Sequence, residues 1–347
     1  MKRKFERYYF NFLFKKLTPE NLGKGALEIN DKNILGLWII EKFGGNCKMK
    51  LLSFKGKDGD RVGILTDNGI VDFSAGFQVF SLIEKEAFCP VITDILYLIE
   101  NDLFDADMFR EVLEFLNRHN LLDRYLIQGK AKLNPPFRKP SKIIALGLNY
   151  ASHAEESGRE APKEPVIFCK TSTSIIGPED KVVIKPGIGR IDPEVELAVI
   201  IGKRAKNVSK EDASNFIAGY TVLNDISARD MQSADFALRN PWFRSKSMDT
   251  FCPFGPYIVL PDEISPLDEL DLELKVNGET RQKSNTRQLI FKIPDLIEYI
   301  SGLMTLEPGD IISTGTPEGI APIHPGDVVE ATVEKVGTLI NYIREES

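Results

Sequence analysis

Histidine and cysteine are scarce in this chain, with 3 histidines and 4 cysteines among 347 residues. Cys47, Cys89, Cys169 and Cys252 are scattered, and no pair has the Cys-x-x-Cys spacing of a thiolate metal site or a redox motif. A thiolate or imidazole metal centre is therefore not expected, and a reducing, cytoplasmic setting is the simplest reading. No apolar run approaches the roughly 18 residues that cross a bilayer, so no membrane partner is expected. Base is outnumbered by acid, 44 Lys and Arg against 51 Asp and Glu, for a formal net charge of -7. Such a balance repels a phosphate backbone, which argues against nucleic acid as a partner. Residues 1–48 mix basic and aromatic side chains without an apolar signal core or a small-residue cleavage site, so they do not read as a secretory signal. Met49 opens a stretch that reads like a natural start, and residues 1–48 are expected to be an N-terminal extension to the fold.

What is present is ordinary globular composition, 42% hydrophobic and 27% charged, in a chain long enough for two domains beside that extension. Asn134-Pro135-Pro136-Phe137 and Lys139-Pro140 break the chain and predict a small N-terminal α+β domain over 49–137 and a larger domain over 138–347. In the small part, strands at 62–66 and 70–73 flank the hairpin signal Asp67-Asn68-Gly69. A helix over 106–120 carries Met108, Val112, Phe115 and Leu116 at helical spacing. The larger part reads as short strands at 142–147, 166–170, 181–184, 194–201, 219–225, 257–260, 272–276, 310–314, 328–333 and 339–344. Two helices interrupt them, one capped by Ser209 with Asp212 three residues on, the other opening at Pro294 and running to about Met304. The predicted class is mostly β (α+β), an antiparallel sandwich or barrel-like roll.

The chemistry starts at Ile191-Asp192-Pro193-Glu194-Val195-Glu196-Leu197-Ala198-Val199-Ile200-Ile201-Gly202, which reads as a strand. Residues i and i+2 share a face, so Glu194 and Glu196 project side by side about 7 Å apart and repel by roughly 2 kcal/mol at an effective dielectric near 20. That face continues into Ala198 and Ile200, which puts the pair at the mouth of a core. Something positive should answer them, either Arg or Lys, or a hard divalent cation that prefers oxygen ligands. Asp225 ends an apolar strand, where a carboxylate is unusual unless partnered, although a turn-forming Asp fits equally well. If its strand neighbours that of Glu194, three carboxylates converge, a set that suits Mg²⁺ or Mn²⁺.

Ser152 with Glu155 forms a capping-box pattern that would place His153 and Glu156 on one helix face. A carboxylate beside an imidazole is what a general base needs, though lone histidines are more often structural. Residues 226–250 are long for an irregular connection and carry Gln232, Trp242, Arg244 and Lys246. Lys246 either neutralises the carboxylates or holds an anionic substrate, while Arg229 and Asp230 read as a local ion pair or loop brace. In Thr314-Gly315-Thr316-Pro317-Glu318-Gly319, a glycine-rich turn offers amides and a hydroxyl to a carboxylate, or is simply a turn.

Taken together and in order, Gly147-Leu148-Asn149-Tyr150-x-x-His153, Glu194-Val195-Glu196-Leu197-Ala198, Asn224-Asp225-x-Ser227-x-Arg229-Asp230-x-Gln232, Lys246-Ser247, Val276-Asn277-Gly278-Glu279-x-Arg281-Gln282 and Thr314-Gly315-Thr316-Pro317-x-Gly319 resemble the fumarylacetoacetate hydrolase family. The resemblance covers residues 142–344 and implies a mixed β-sandwich roll of that family's C-terminal type, a homodimer, and a Mg²⁺- or Mn²⁺-dependent enzyme acting on 2-oxo or β-diketo acids. Carried over position by position, Glu194, Glu196 and Asp225 would be metal ligands. His153 with Glu156 would be the water-activating or proton-transferring dyad, and Lys246, Gln232 and Thr316 would contact substrate. The activity it implies is that of an isomerase, decarboxylase or hydratase of the 2-hydroxyhepta-2,4-diene-1,7-dioate type. A C–C hydrolase and a non-catalytic metal-bound scaffold are the alternatives. Leu148 stands where the acylpyruvate hydrolase and oxaloacetate decarboxylase branch tends to have Arg, and Pro193 replaces a frequent aromatic.

Overall fold

The computed structural model describes residues 49–152, 160–264 and 266–346. Its central strand, Val195–Ile201, is buried at every position. Val195, Leu197, Val199 and Ile201 enter one core with Leu272, Leu274, Val329, Ala331 and Leu296. Ala198 and Ile200, on the opposite face, enter a second core with Leu51, Phe109, Phe115 and Phe254. Both faces are covered, which is why the sequence runs apolar instead of alternating.

In the large sheet the strands lie in the order Gly69–Asp72, Gly59–Thr66, Lys50–Gly56, Cys252–Val259, Ile217–Asn224, Val195–Ile201, Ile311–Ser313, Ile143–Gly147, Val166–Lys170. Against it packs a second sheet ordered Glu279–Asn285, Asp271–Val276, Val328–Val333, Gly337–Glu345, Lys181–Ile184. Most neighbours are antiparallel, but Ile311–Ser313 runs parallel to Ile143–Gly147, and Gly337–Glu345 parallel to Lys181–Ile184. The architecture is a mixed β-sandwich roll, not a closed barrel. Among the described residues no helix is long and apolar enough to cross a membrane.

The N-terminal hairpin is woven into this sheet. Lys50 and Leu51 pair with Val259 and Ile258. Helices Phe73–Glu84 and Ala106–Arg118 cover its face, with the Phe73 and Phe109 rings edge to face at 5.2 Å. The proline-rich stretch after Leu133–Asn134 is not a free connector. Pro136 accepts a hydrogen bond from Ser53 Oγ at 2.7 Å, and Phe137 is buried edge-on against Phe254 at 5.2 Å. Burying one such ring contributes roughly 1.5–3 kcal/mol, enough to hold this segment down.

Several local expectations need correction. The strand expected over 70–73 ends at Asp72, because the Asp72 carboxylate accepts from Ala75 N at 2.9 Å and starts the helix. After Ser209 there is no α-helix but turns and the 3₁₀ segment Ala213–Phe216. Ser209 Oγ donates to the Asp212 side chain at 3.1 Å instead of capping backbone amides. Residues 226–250, expected to be irregular, hold helices Arg229–Ala237 and Phe243–Lys246. In the first of these the one fully buried side chain is Asp235, tied to Arg244, so no apolar period betrays the helix.

Candidate active site

Pairing of Val195–Ile201 with Ile217–Asn224 sets Val195 opposite Asn224 and Glu196 opposite Leu223. Glu194 lies one residue before its strand, not in it as expected, and Asp225 one residue after its own. They are locked together by two bonds, Glu194 N donating to the Asn224 side-chain Oδ1 at 2.8 Å and Asp225 N donating to Glu194 O at 2.9 Å. Among the described residues one group of three acidic side chains forms, Glu194, Glu196 and Asp225, with ligand oxygens within 4.8 Å of one another and all three buried.

Cations answer two of the three. Lys246 Nζ bridges Glu194 Oε2 at 2.8 Å and Asp225 Oδ2 at 2.6 Å. Arg229 donates to Glu194 Oε1 and, at 2.8 Å, to Asp192, which also pairs with Arg190. Lys170 Nζ holds Asp225 Oδ1 at 2.6 Å. Burial works against the charge of Lys246, but Asp225 and Glu194 outweigh it and hold the ammonium above the usual lysine range. Arg229 is likewise held well above its ordinary value, since Glu194 and Asp192 overcome the cost of burial.

No cation touches Glu196 among the described residues. Its Oε2 accepts from Ser313 Oγ at 2.5 Å and from Gly315 N at 2.9 Å. Burial, reinforced by Asp225 and Glu194, pushes its carboxyl up to about 8. The residues fit a hard divalent cation on two counts. The donors are three converging carboxylates, and the ammonium of Lys246 already occupies a place between two of them. A divalent cation would supply the charge that Glu196 lacks.

Beside the group lies a cavity of about 160 Å³. Its lining is polar at Glu194, Arg229, Gln232, Lys246 and Thr316 and apolar at Leu148, Phe168, Phe236 and Trp242. A cavity of roughly 150 Å³ accommodates a benzene-sized molecule, so the space suits a compact substrate. Trp242 meets Phe168 edge to face at 5.7 Å and rests on Gly147, where an added Cβ would lie 2.7 Å from the indole. Gly147→Ala should therefore push the indole into the cavity. We expect KM for substrate to rise by about 10-fold or more, with a stability loss of about 1–3 kcal/mol, measured by steady-state kinetics and calorimetry. An unaltered KM would show that this wall does not meet the substrate.

The structure brings together Glu194, Glu196, Asp225, Lys246, Gln232 and Thr316. Gln232 accepts from Arg229 Nη1 at 2.5 Å, which orients its amide. The Thr316 hydroxyl is engaged on both sides, donating to Val195 O at 3.0 Å and accepting from Gln282 Nε2 at 2.9 Å. The turn that holds it needs glycine twice, at Gly315 (φ 93°) and Gly319 (φ 92°), left-handed positions that a side chain would strain. Its amide at Gly315 does grip a carboxylate, the protein's own Glu196. His153 and Glu156, the expected dyad, lie outside the described residues, and Ser152 Oγ donates to Glu318.

Two participants escaped the sequence reading. Arg229 is more than a loop brace, because it touches Glu194 and lines the cavity. Lys170 reads in the sequence as a strand end, although the signal that flags Asp225, a charge closing an apolar strand, is present in Val166-Ile167-Phe168-Cys169-Lys170 as well.

A mixed β-sandwich that gathers three buried carboxylates, one of them lining a cavity beside Lys246 and Arg229, is an arrangement able to hold a divalent cation. The chain belongs to the fumarylacetoacetate hydrolase family: the profile described as Fumarylacetoacetate (FAA) hydrolase C-terminal matches residues 142–344. The mitochondrial oxaloacetate tautomerase Fahd2a of Rattus norvegicus is 38% identical over 266 residues, 71% of this chain and 83% of that protein. Maleylpyruvate hydrolase from Sphingobium sp. SYK-6, solved with manganese (II) ion and pyruvate, superposes with a TM-score of 0.67 at 33% identity, covering 86% of this chain and 100% of that one. The 2-hydroxyhepta-2,4-diene-1,7-dioate isomerase of Mycobacterium marinum superposes with a TM-score of 0.62 at 30% identity, covering 86% and 99%.

Proposed function

We propose that this chain is a Mg²⁺- or Mn²⁺-dependent enzyme that shifts a proton on a 2-oxo or β-diketo acid, interconverting keto and enol isomers of a 2-oxo dicarboxylate. The observation that carries this is the meeting of Glu194, Glu196 and Asp225 beside a cavity that Glu194, Lys246 and Arg229 line. Relatives named as a tautomerase and an isomerase support the proton shift. A second reading, hydrolysis of a C–C bond, is favoured by the neighbour that is a hydrolase and holds manganese and pyruvate.

Glu194, Glu196 and Asp225 would hold the cation, which when bound offers positive charge to the carboxylate and keto oxygens of a 2-oxo acid and so stabilises an enolate. Lys246 and Arg229 add N–H donors to the cavity lining, and the Gln232 amide, its oxygen already taken by Arg229, has its nitrogen left to donate. Phe168, Phe236 and Trp242 add apolar surface to the same cavity, against which the carbon skeleton of a substrate would pack. His153, oriented by Glu156, would take the proton from the carbon beside the keto group; in the second reading it would activate water against a second carbonyl.

Ultraviolet absorbance of enolising 2-oxo and β-diketo acids checks this. Turnover is expected with Mg²⁺ or Mn²⁺, at least ~100-fold less with excess chelator, and full recovery on adding metal back. With the cation bound and no member of a broad panel turned over, the scaffold alternative would stand instead.

A further inference from the structure

We propose that Lys170 is a positioning residue, a buried ammonium that fixes Asp225 and the backbone of Lys246 against each other; this rests on reading Glu194, Glu196 and Asp225 as cation ligands. Lys170 closes Val166–Lys170, the last strand in the large sheet's order, and is anchored there by pairing with Ile143. Its four strand-mates are half-buried or exposed, whereas its own side chain is 0% exposed. From there Nζ donates to Asp225 Oδ1 at 2.6 Å and to the carbonyl oxygen of Lys246.

Asp225 is thus gripped from both sides, Oδ1 by Lys170 and Oδ2 by Lys246, each at 2.6 Å. The two lysines are not equivalent. Lys246 lines the cavity and shares its ammonium with Glu194. Lys170 does not line the cavity, and its ammonium joins a candidate ligand to the peptide that carries Lys246. It can reach a substrate only through those two residues. Lys246 ends the short helix Phe243–Lys246, and among the described bonds its carbonyl is met by Lys170 Nζ. One buried nitrogen therefore sets both the direction of a ligand oxygen and the height at which the Lys246 side chain enters the cavity.

Charge balance alone would be a different role, and it predicts the opposite sign. A fixed positive charge beside a ligand oxygen repels a divalent cation, so a mere counter-charge, once removed, would leave cation binding tighter. A residue that holds the ligand in place, once removed, leaves it weaker, and loss of such supporting partners costs about 10–100-fold in metal affinity.

The experiment titrates the full-length chain and Lys170→Met with Mg²⁺ by calorimetry and with Mn²⁺ by electron paramagnetic resonance of the free ion. We expect Kd to weaken by about 10-fold or more in Lys170→Met, and kcat to fall more than KM rises. Lys170→Arg keeps the charge but presents a planar fork where one ammonium meets two oxygens, and it should also bind Mg²⁺ several-fold more weakly. It carries the test if the methionine variant does not fold. An unchanged or tighter Kd in either folded variant overturns the proposal. Failure of the unsubstituted protein to bind either ion overturns the proposed function as well, whereas normal binding with indifferent Lys170 variants overturns this inference alone.

Discussion

Glu196→Gln should abolish divalent-cation binding while leaving the metal-free protein at least as stable as its parent. Glu196 is the carboxylate that no described cation touches, so its charge is the one left for an added ion to meet. Its carboxyl is pushed up to about 8 by burial, then by Asp225 and Glu194. A group whose folded value lies above its unfolded one contributes stability that is fully present below about 4.5 and is lost as pH rises through about 8. The neutral amide removes that loss, so between pH 7 and 9 the metal-free variant should overtake its parent by on the order of a few kcal/mol in denaturant melts. Cation binding by the parent must expel the proton, so its Mg²⁺ affinity should rise with pH up to about 8. In the variant, calorimetry should show affinity at least ~100-fold weaker, with kcat/KM down by at least ~10³-fold. Mg²⁺ affinity equal to the parent's would remove Glu196 from the ligand set.

Lys246→Met should separate stability from catalysis. The methionine keeps most of the apolar stem but withdraws an ammonium that is 3% exposed and bonded to Glu194 and Asp225. Each carboxylate retains one cation, Arg229 on Glu194 and Lys170 on Asp225, but both lose a buried partner. Breaking a buried pair in this way costs about 3–5 kcal/mol, which in a chain this size is a visible fall in melting temperature. Mg²⁺ should reverse much of that fall, since it places positive charge where the ammonium was and binds the folded state alone. Its affinity should be equal or higher because the repelling neighbour is gone. Turnover should nonetheless stay about 10²–10³-fold down with the ion saturating, for want of a cationic donor at the cavity wall. Parental kcat in the metal-loaded variant would sink the catalytic assignment of Lys246.

Legibility of the site followed chain distance. Glu194 and Glu196 are two residues apart, and the pleat of an extended chain alone puts them on one side. The turn chemistry of Asp67-Asn68-Gly69 is just as local, and its hairpin formed. Asp225 was conditional, because nothing near it says which strand it will face; the pairing of Glu196 with Leu223 decided that. Lys170 and Arg229 stand 55 residues before Asp225 and 35 after Glu194, and their ammonium and guanidinium groups look on paper like any surface charge. The helices inside 226–250 were invisible because their buried contacts are polar, Asp235 to Arg244, and leave no apolar period.

Composition and covalent spacing determined that this chain would be a β-rich protein with a pair of carboxylates at the edge of a core, and the order of its motifs determined its family. Which strands became neighbours, that the N-terminal hairpin would join the large sheet through Lys50 and Val259, and that two buried lysines would grip Asp225 were decided by the tertiary structure. The reason is physical. Apolar strands are nearly interchangeable partners when considered one at a time, and only the simultaneous burial of both faces of Val195–Ile201, with its buried polar groups hydrogen-bonded, singles out one arrangement.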